Sequence, residues 1–446
     1  MGSLRKPVYL WFIALALIFI QPQPAWAGLN IRVGLVWQLA GETFLGFETV
    51  QGAYTLTIDD TVIIRNISAG ASYRALSSPW GLLVFRDGQV IGTGGRLKFE
   101  PAYGKLPVLK LLSAKGVRDY RGGLEISQRG DASLSVVNTL GEQEYLYGVV
   151  PVEMSNSWAA QGAEALKAQA VAARTYLYSH YDRKQAKGYN ISDSPNIDQA
   201  YAGYGVEGAA SKAVDATQAE VLVDKNSLKP INPSYHSHSG GHTENSENVW
   251  SAADKHLRGK QDPYSLGQGA LADNWAFTAS AAAVGNHLGI GPVKEIRTKT
   301  YPSGRVKTVE FEDISGKKVI KSGRQFVTLF YPKGRGITRK DFLGTMFRVI
   351  KVKQGEGSAF VPEPLAVLLR ESLTGPRYEF VDTSVTPPNK LPNPYAVFVF
   401  SGKGWGHGVG MAQWGAYGMA KQGYSYRQIL EYYYTSVSVR KVGAGE

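Results

Sequence analysis

No cysteine occurs anywhere in the 446 residues. Disulfides, thiolate zinc sites and thiol nucleophiles are excluded together. Beyond the first 27 residues no stretch is apolar enough to cross a bilayer, and there is no internal repeat or low-complexity tract. The phosphate-cradling glycine loops are missing too. The segment SGKGWGHGVGMAQWG, residues 401–415, carries glycine at 402, 404, 406, 408 and 410. A dinucleotide fingerprint needs G-x-G-x-x-G, and Val409 stands where its third glycine falls. No Gly-Lys-Ser/Thr closes a P-loop.

What is present is ordinary in bulk. The hydrophobic fraction of 43% suits a globular chain, and the length admits two or three domains with a sizeable core. Forty-nine basic against 37 acidic residues leave a net charge of +12. The N-terminus reads as a signal peptide over residues 1–27: Arg5 and Lys6, an apolar run from Val8 to Ile20, then Ala25-x-Ala27. The run is short of the roughly 20 residues a membrane span requires. The expectation is export to the periplasm or cell wall, with membrane contact only in transit. A basic exported protein suits an anionic polymer or a membrane surface rather than nucleic acid.

The chain reads as α+β. Residues 28–116 form a β-rich region of short strands such as AYTLTID and GLLVFRDG, punctuated by Gly, Asp and Asn. Residues 117–446 read as a mixed catalytic core with a central cleft, interrupted by a β-rich insertion at about 260–395. Its clearest helix is SNSWAAQGAEALKAQAVAARTYLYSHY, where Leu166, Ala170, Ala173 and Leu177 mark one face.

Three constellations carry chemistry. In YLYGVVPVEMSNSW, Glu153 lies among Val152, Met154, Pro151 and Trp158. Apolar company raises a carboxyl pKa and suits a general acid. A glutamate at the favourable dipole end of the following helix is the competing reading. In YHSHSGGHTENSENVW, His236, His238 and His242 gather near Glu244 and Glu247. That donor set admits a metal, but H-x-H-x-x-x-H is a loose ligand spacing, and Ser-Gly-Gly also reads as a turn that meets a ligand through its backbone. In the glycine segment, Trp405 offers a flat face to a sugar ring and His407 a polar edge. The competing reading is a tight corner where the glycines pack against another backbone.

These blocks in this order, with EALKAQAVAARTY and GKGWGHGVGMAQWGAYGMA, resemble the stage II sporulation protein D family, also called the amidase-enhancer family, some members of which look like lytic transglycosylases of bacterial peptidoglycan. The resemblance implies that Glu153, in Pro-x-Glu-Met, is the catalytic acid. It implies a glycan cleft lined by Ser239, Gly240, Gly241, Thr243, Glu244, Trp405, His407, Gln413 and Trp414. Some relatives hold zinc near Ser-Gly-Gly through cysteines. This chain has none, so either His236 and His242 substitute or the site is empty, and no cofactor is expected. The implied reaction cleaves the bond between N-acetylmuramic acid and N-acetylglucosamine, leaving 1,6-anhydro ends. The implied partners are glycan strands and a cell-wall amidase. Two other classes stay open: a non-catalytic glycan-binding enhancer of an amidase, and a metallohydrolase using the three histidines.

Overall fold

The computed structural model describes residues 29–331, 341–353 and 395–442. The expected signal peptide at 1–27 and the Pro-rich stretch at 385–394 lie outside the described residues. The fold is α+β, with a β-rich N-terminal region followed by mixed elements.

Eleven of the described strands form one sheet. Its spine is a pair of long antiparallel strands, Phe44–Ile58 and Arg96–Ser113. The sequence reads as shorter strands here because Gly52, Pro101 and Pro107 interrupt the alternation. The chain absorbs them as register shifts between Thr49 and Tyr54, so pairing continues past the irregularity. The sheet also runs through residue 116: Gly116–Arg121 folds back on Arg96–Ser113, and Gly123–Gln128 pairs with Leu134–Gly141. Asn30–Gly34 then lies beside Leu134–Gly141 on one edge and Ile191–Ser192 on the other.

Two helices pack next to this sheet: α1, Glu142–Glu153, and α2, Ala163–His180. α2 is buried nearly all round rather than on the single face its leucines suggest, with Ala165, Ala168, Val171 and Ala172 inaccessible along with the expected stripe. Small side chains explain this, because they let α1, the helices Gln413–Lys421 and Tyr426–Tyr433, and the strand Glu220–Asp224 approach from several directions. Its one buried cation, Arg174, is paired with Glu142 and capped by the carbonyls of Thr217 and Glu220. One continuous core results, from Ile31 through the helices to Val439.

A second core is separate. It runs from Ala272 to Phe347 and is rejoined by Phe398 and Phe400. Two three-stranded sheets enclose it: Trp275–Ser280 with Tyr395–Lys403 and Met346–Lys353, and Val293–Thr300 with Val306–Asp313 and Lys318–Ser322. Its centre is aromatic. Phe326 lies 4.8 Å from Phe311, 5.6 Å from Phe342 and 5.3 Å from Phe400, ring centre to ring centre. Truncating such a fully buried ring to alanine typically costs about 3–5 kcal/mol. The strand Tyr395–Lys403 leads straight out of this core into the glycine segment.

Candidate active site

The last residue of α1 is Glu153. The helix stops there because Met154 turns extended, at φ −131° and ψ 124°. The carboxyl therefore sits at the negative end of a helix dipole, opposite to the helix-start reading of the sequence. Burial pushes its pKa up, and the dipole acts in the same direction. Three groups oppose the shift: the Ala200 N–H reaches Oε1 at 2.9 Å, Gln413 Nε2 reaches Oε2 at 3.3 Å, and the Tyr235 hydroxyl acts in the same direction. The hydroxyl of Tyr235 faces the same carboxyl without closing a hydrogen bond in the resting site. Burial, then the nearby Glu153, hold Tyr235 well above its usual pKa, so it stays a neutral phenol.

Glu153 opens into a cleft of about 900 Å³. One side is built from the first core: Glu153, Tyr176, Asp198 and Gln413. The other comes from the second core: Tyr301, Arg305, Lys307, Arg324 and Tyr331. Between them lie Tyr235, His236, Glu244, Glu247, Trp250, Trp405 and His407. Trp405 is half-buried, and its indole N–H donates to the Tyr331 hydroxyl at 3.0 Å. The rings of Trp250 and His407 are 4.9 Å apart. Flat aromatic faces interleaved with polar groups suit a carbohydrate.

Three other acids line the cleft, and each is committed. Asp198 accepts from Lys184 and from both the backbone and the side chain of Ser192. Glu244 accepts from Asn245 N, Asn248 Nδ2 and Ser303 Oγ. Glu247 is held by both terminal nitrogens of Arg258. Glu153 lacks a cationic partner and carries the fewest close donors.

Of the residues the resemblance implied for the cleft, Glu244, Trp405, His407 and Gln413 do line it with Glu153, and five do not. Ser239 is buried on Ser265, and Thr243 is tied to Lys260. Gly240 faces Met346 Sδ and the backbone of Lys403; Gly241 faces Leu266. Trp414 sits outside the cleft against Trp158, at 4.7 Å, and Tyr417, at 5.9 Å. These small residues serve close packing. The Ser-Gly-Gly block and the glycine segment cross each other, with Trp405 N donating to the His238 carbonyl and His238 N to that of Trp405. A Cβ on Gly410, at φ +71°, falls 1.9 Å from the Ser234 carbonyl oxygen, and one on Gly408, at φ +85°, falls 2.4 Å from Arg305 Cζ. The glycine segment thus bends around its own protein, the tight-corner reading.

The three histidines diverge. His238 is bonded to Asp273 and to Gly240 N, and His242 Nδ1 to the Thr243 carbonyl. His236 Nδ1 meets the Val409 carbonyl at 3.1 Å. Among the described residues no group of three or more His, Asp or Glu is placed to hold a metal ion. The cleft residues that sequence reasoning missed include Tyr176, Asp198, Tyr235, Trp250, Tyr301, Arg305, Lys307, Arg324 and Tyr331.

An aromatic cleft around a buried carboxyl that has no ion-pair partner among the described residues defines the class of site. Residues 130–223 match the family model described as stage II sporulation protein. An uncharacterized protein of Brachyspira hyodysenteriae is 31% identical over 322 residues, covering 72% of each chain. The amidase enhancer of Bacillus subtilis is 29% identical over 310 residues, 66% of this chain but 40% of its own length. The stage II sporulation protein D of Bacillus amyloliquefaciens is 27% identical over 353 residues, covering 73% of this chain and 84% of that one. The chain belongs to the stage II sporulation protein D family.

Proposed function

We propose that the protein acts in the bacterial cell wall as a peptidoglycan lytic transglycosylase, with Glu153 as its acid and base. The observation that carries this reading is the position of Glu153: a desolvated carboxyl with no cation beside it, at the floor of an aromatic cleft whose other acids are committed. Names among its relatives, amidase enhancer and stage II sporulation protein D, support the cell-wall setting.

The steps follow from one carboxyl. Protonated Glu153 gives its proton to the oxygen bridging N-acetylmuramic acid and N-acetylglucosamine, and the bond from C1 to that oxygen breaks. The carboxylate then takes the proton of the muramoyl C6 hydroxyl as that oxygen bonds to C1. The product is a 1,6-anhydro ring, no water is consumed, and Glu153 ends protonated. Ordinary glycosidases need a second carboxylate for nucleophile or base. Here the nucleophile is internal to the sugar, and its high effective concentration makes a second carboxylate unnecessary. Tyr235 and Gln413 steady the carboxylate between the two transfers.

In the same reading the second core is an insertion that walls the cleft, and residues 1–27 direct export. N-terminal sequencing of the exported protein, expected to begin near Gly28, tests the second point. The rival reading is a glycan-binding enhancer of a cell-wall amidase, which the name of the Bacillus subtilis relative favours. Mass spectrometry of purified glycan strands incubated with the protein decides: 1,6-anhydro ends are expected, and intact strands leave the enhancer.

A further inference from the structure

Arg305 is 2% exposed and lines the cleft. It enters from the turn between Val293–Thr300 and Val306–Asp313, and its guanidinium lies flat on Gly408, where any side chain would collide. Nη2 donates to the Ser239 carbonyl at 2.5 Å, with a long contact to that of His242. Nε and Nη1 have no acceptor among the described residues. Burial lowers its pKa to about 10, so it remains charged at neutral pH. The acid that acts on it electrostatically, Glu244, makes no hydrogen bond to it and accepts from three other donors.

Beside it, His236 has the opposite character. Its Nδ1–H is spent on the Val409 carbonyl, and burial with neighbouring positive charge holds the ring neutral, so Nε2 is a bare acceptor, buried and unpartnered. His407 is likewise held neutral, its pKa pushed down to about 4. Two further cations, Lys307 and Arg324, line the cleft, but both are exposed, and Arg305 is the buried one. A buried guanidinium with two idle donors is costly to leave unmatched, and a neutral carbonyl compensates its charge less well than an anion does.

We infer that Arg305 is a carboxylate receptor in the second-core wall of the cleft, holding an acidic group of the bound glycan strand while His236 Nε2 accepts a neighbouring hydroxyl or amide hydrogen. This rests on the glycan reading of the cleft. The carboxylate has two possible sources, the lactyl group of a muramic acid freed of its peptide, or an acidic residue of an attached stem peptide.

Calorimetric titration of the exported full chain, in wild-type and Arg305→Gln forms, tests it. The probes are peptide-free glycan strands, the same strands with their carboxylates amidated, peptide-bearing strands, and chitin oligosaccharides of matched length. Wild type is expected to bind the peptide-free or the peptide-bearing strands roughly 10- to 100-fold more tightly than the amidated ones. Arg305→Gln removes that difference and leaves chitin binding unchanged, and Arg305→Lys restores part of it. The better-bound strand identifies the source. Equal wild-type affinity for acidic and amidated strands overturns the assignment, and this comparison stands even if Arg305→Gln fails to fold. So does a uniform loss by Arg305→Gln across all probes at unchanged melting temperature. Carboxylate-dependent binding without anhydro ends removes the transglycosylase reading and keeps the receptor. Anhydro ends with carboxylate-independent binding do the reverse.

Discussion

The two walls of the cleft come from different cores and carry different chemistry. The first-core wall presents Glu153 on the end of α1, with Tyr176 and Asp198 beside it. The second-core wall presents Arg305, Lys307 and Arg324. The acid wall is anchored on a helix whose neighbour α2 is packed almost all round. The basic wall stands on short strands around a knot of phenylalanines. On the proposed function the division separates bond-breaking from strand-holding: the proton-moving group is fixed in the first core, and the groups that would meet the glycan sit on the second.

That division can be broken experimentally. The largest effect is expected from Glu153→Gln, which keeps shape and loses the titratable proton. Anhydro-product formation should fall by roughly 10²–10⁴-fold while glycan affinity holds. Product yield near wild type would remove Glu153 from the mechanism and leave the enhancer. The seam between the walls comes next. Gly410→Ala adds a Cβ against the Ser234 carbonyl at a positive φ, and should lower stability by roughly 2–5 kcal/mol in denaturant titration. A change of only a few tenths would mean that the glycine segment relaxes easily. On the holding side, Trp405→Ala should weaken glycan binding by roughly tenfold in titration with little change in the bound-state rate. A fall in rate at saturating glycan would erase the division of labour.

The acidity of Glu153 makes a subtler prediction. Its folded pKa is raised above the unfolded value, so the fold favours the protonated form. No penalty exists below the unfolded pKa; it grows as pH rises through the folded one. Glu153→Gln should therefore melt at a higher temperature than wild type at pH 8, and the gap should close at pH 4. Cleavage by wild type should decline along the same upper limb, since the acid must be protonated to act. An unchanged gap across that range would mean that the carboxyl is not desolvated. The smallest effect is expected from EDTA, which should leave cleavage unaltered. A complete loss restored by zinc would instead turn His236 and His242 into ligands.

Motif blocks made part of this legible. Trp405 and His407 pointed to a sugar by residue type, Glu153, Glu244 and Gln413 entered through the family resemblance, and all five meet in one cleft. The same blocks misled at Ser239, Gly240, Gly241 and Thr243. Small residues signal close approach, but a sequence does not say whether the approaching body is a ligand or the protein's own chain. The helix-start reading of Glu153 failed because Pro151, which often opens a helix, here lies inside the last turn of one. Arg305 was invisible for a different reason. It sits in a tight turn, YPSGRVK, with no periodicity, and its role depends on Gly408, over a hundred residues away.

The crossing of the glycine segment with the Ser-Gly-Gly block has a further consequence, for the order of events in folding. His236 meets Val409 across 173 positions of sequence, and Gln413 reaches Glu153 across 260. Contacts that close such long loops form late. The Glu153 wall takes most of its residues from 153–198, yet it lacks the amide donor of Gln413 until the chain has passed residue 413 and returned. On the proposed function, Glu153 is therefore held in its working position only once the C-terminal segment has docked.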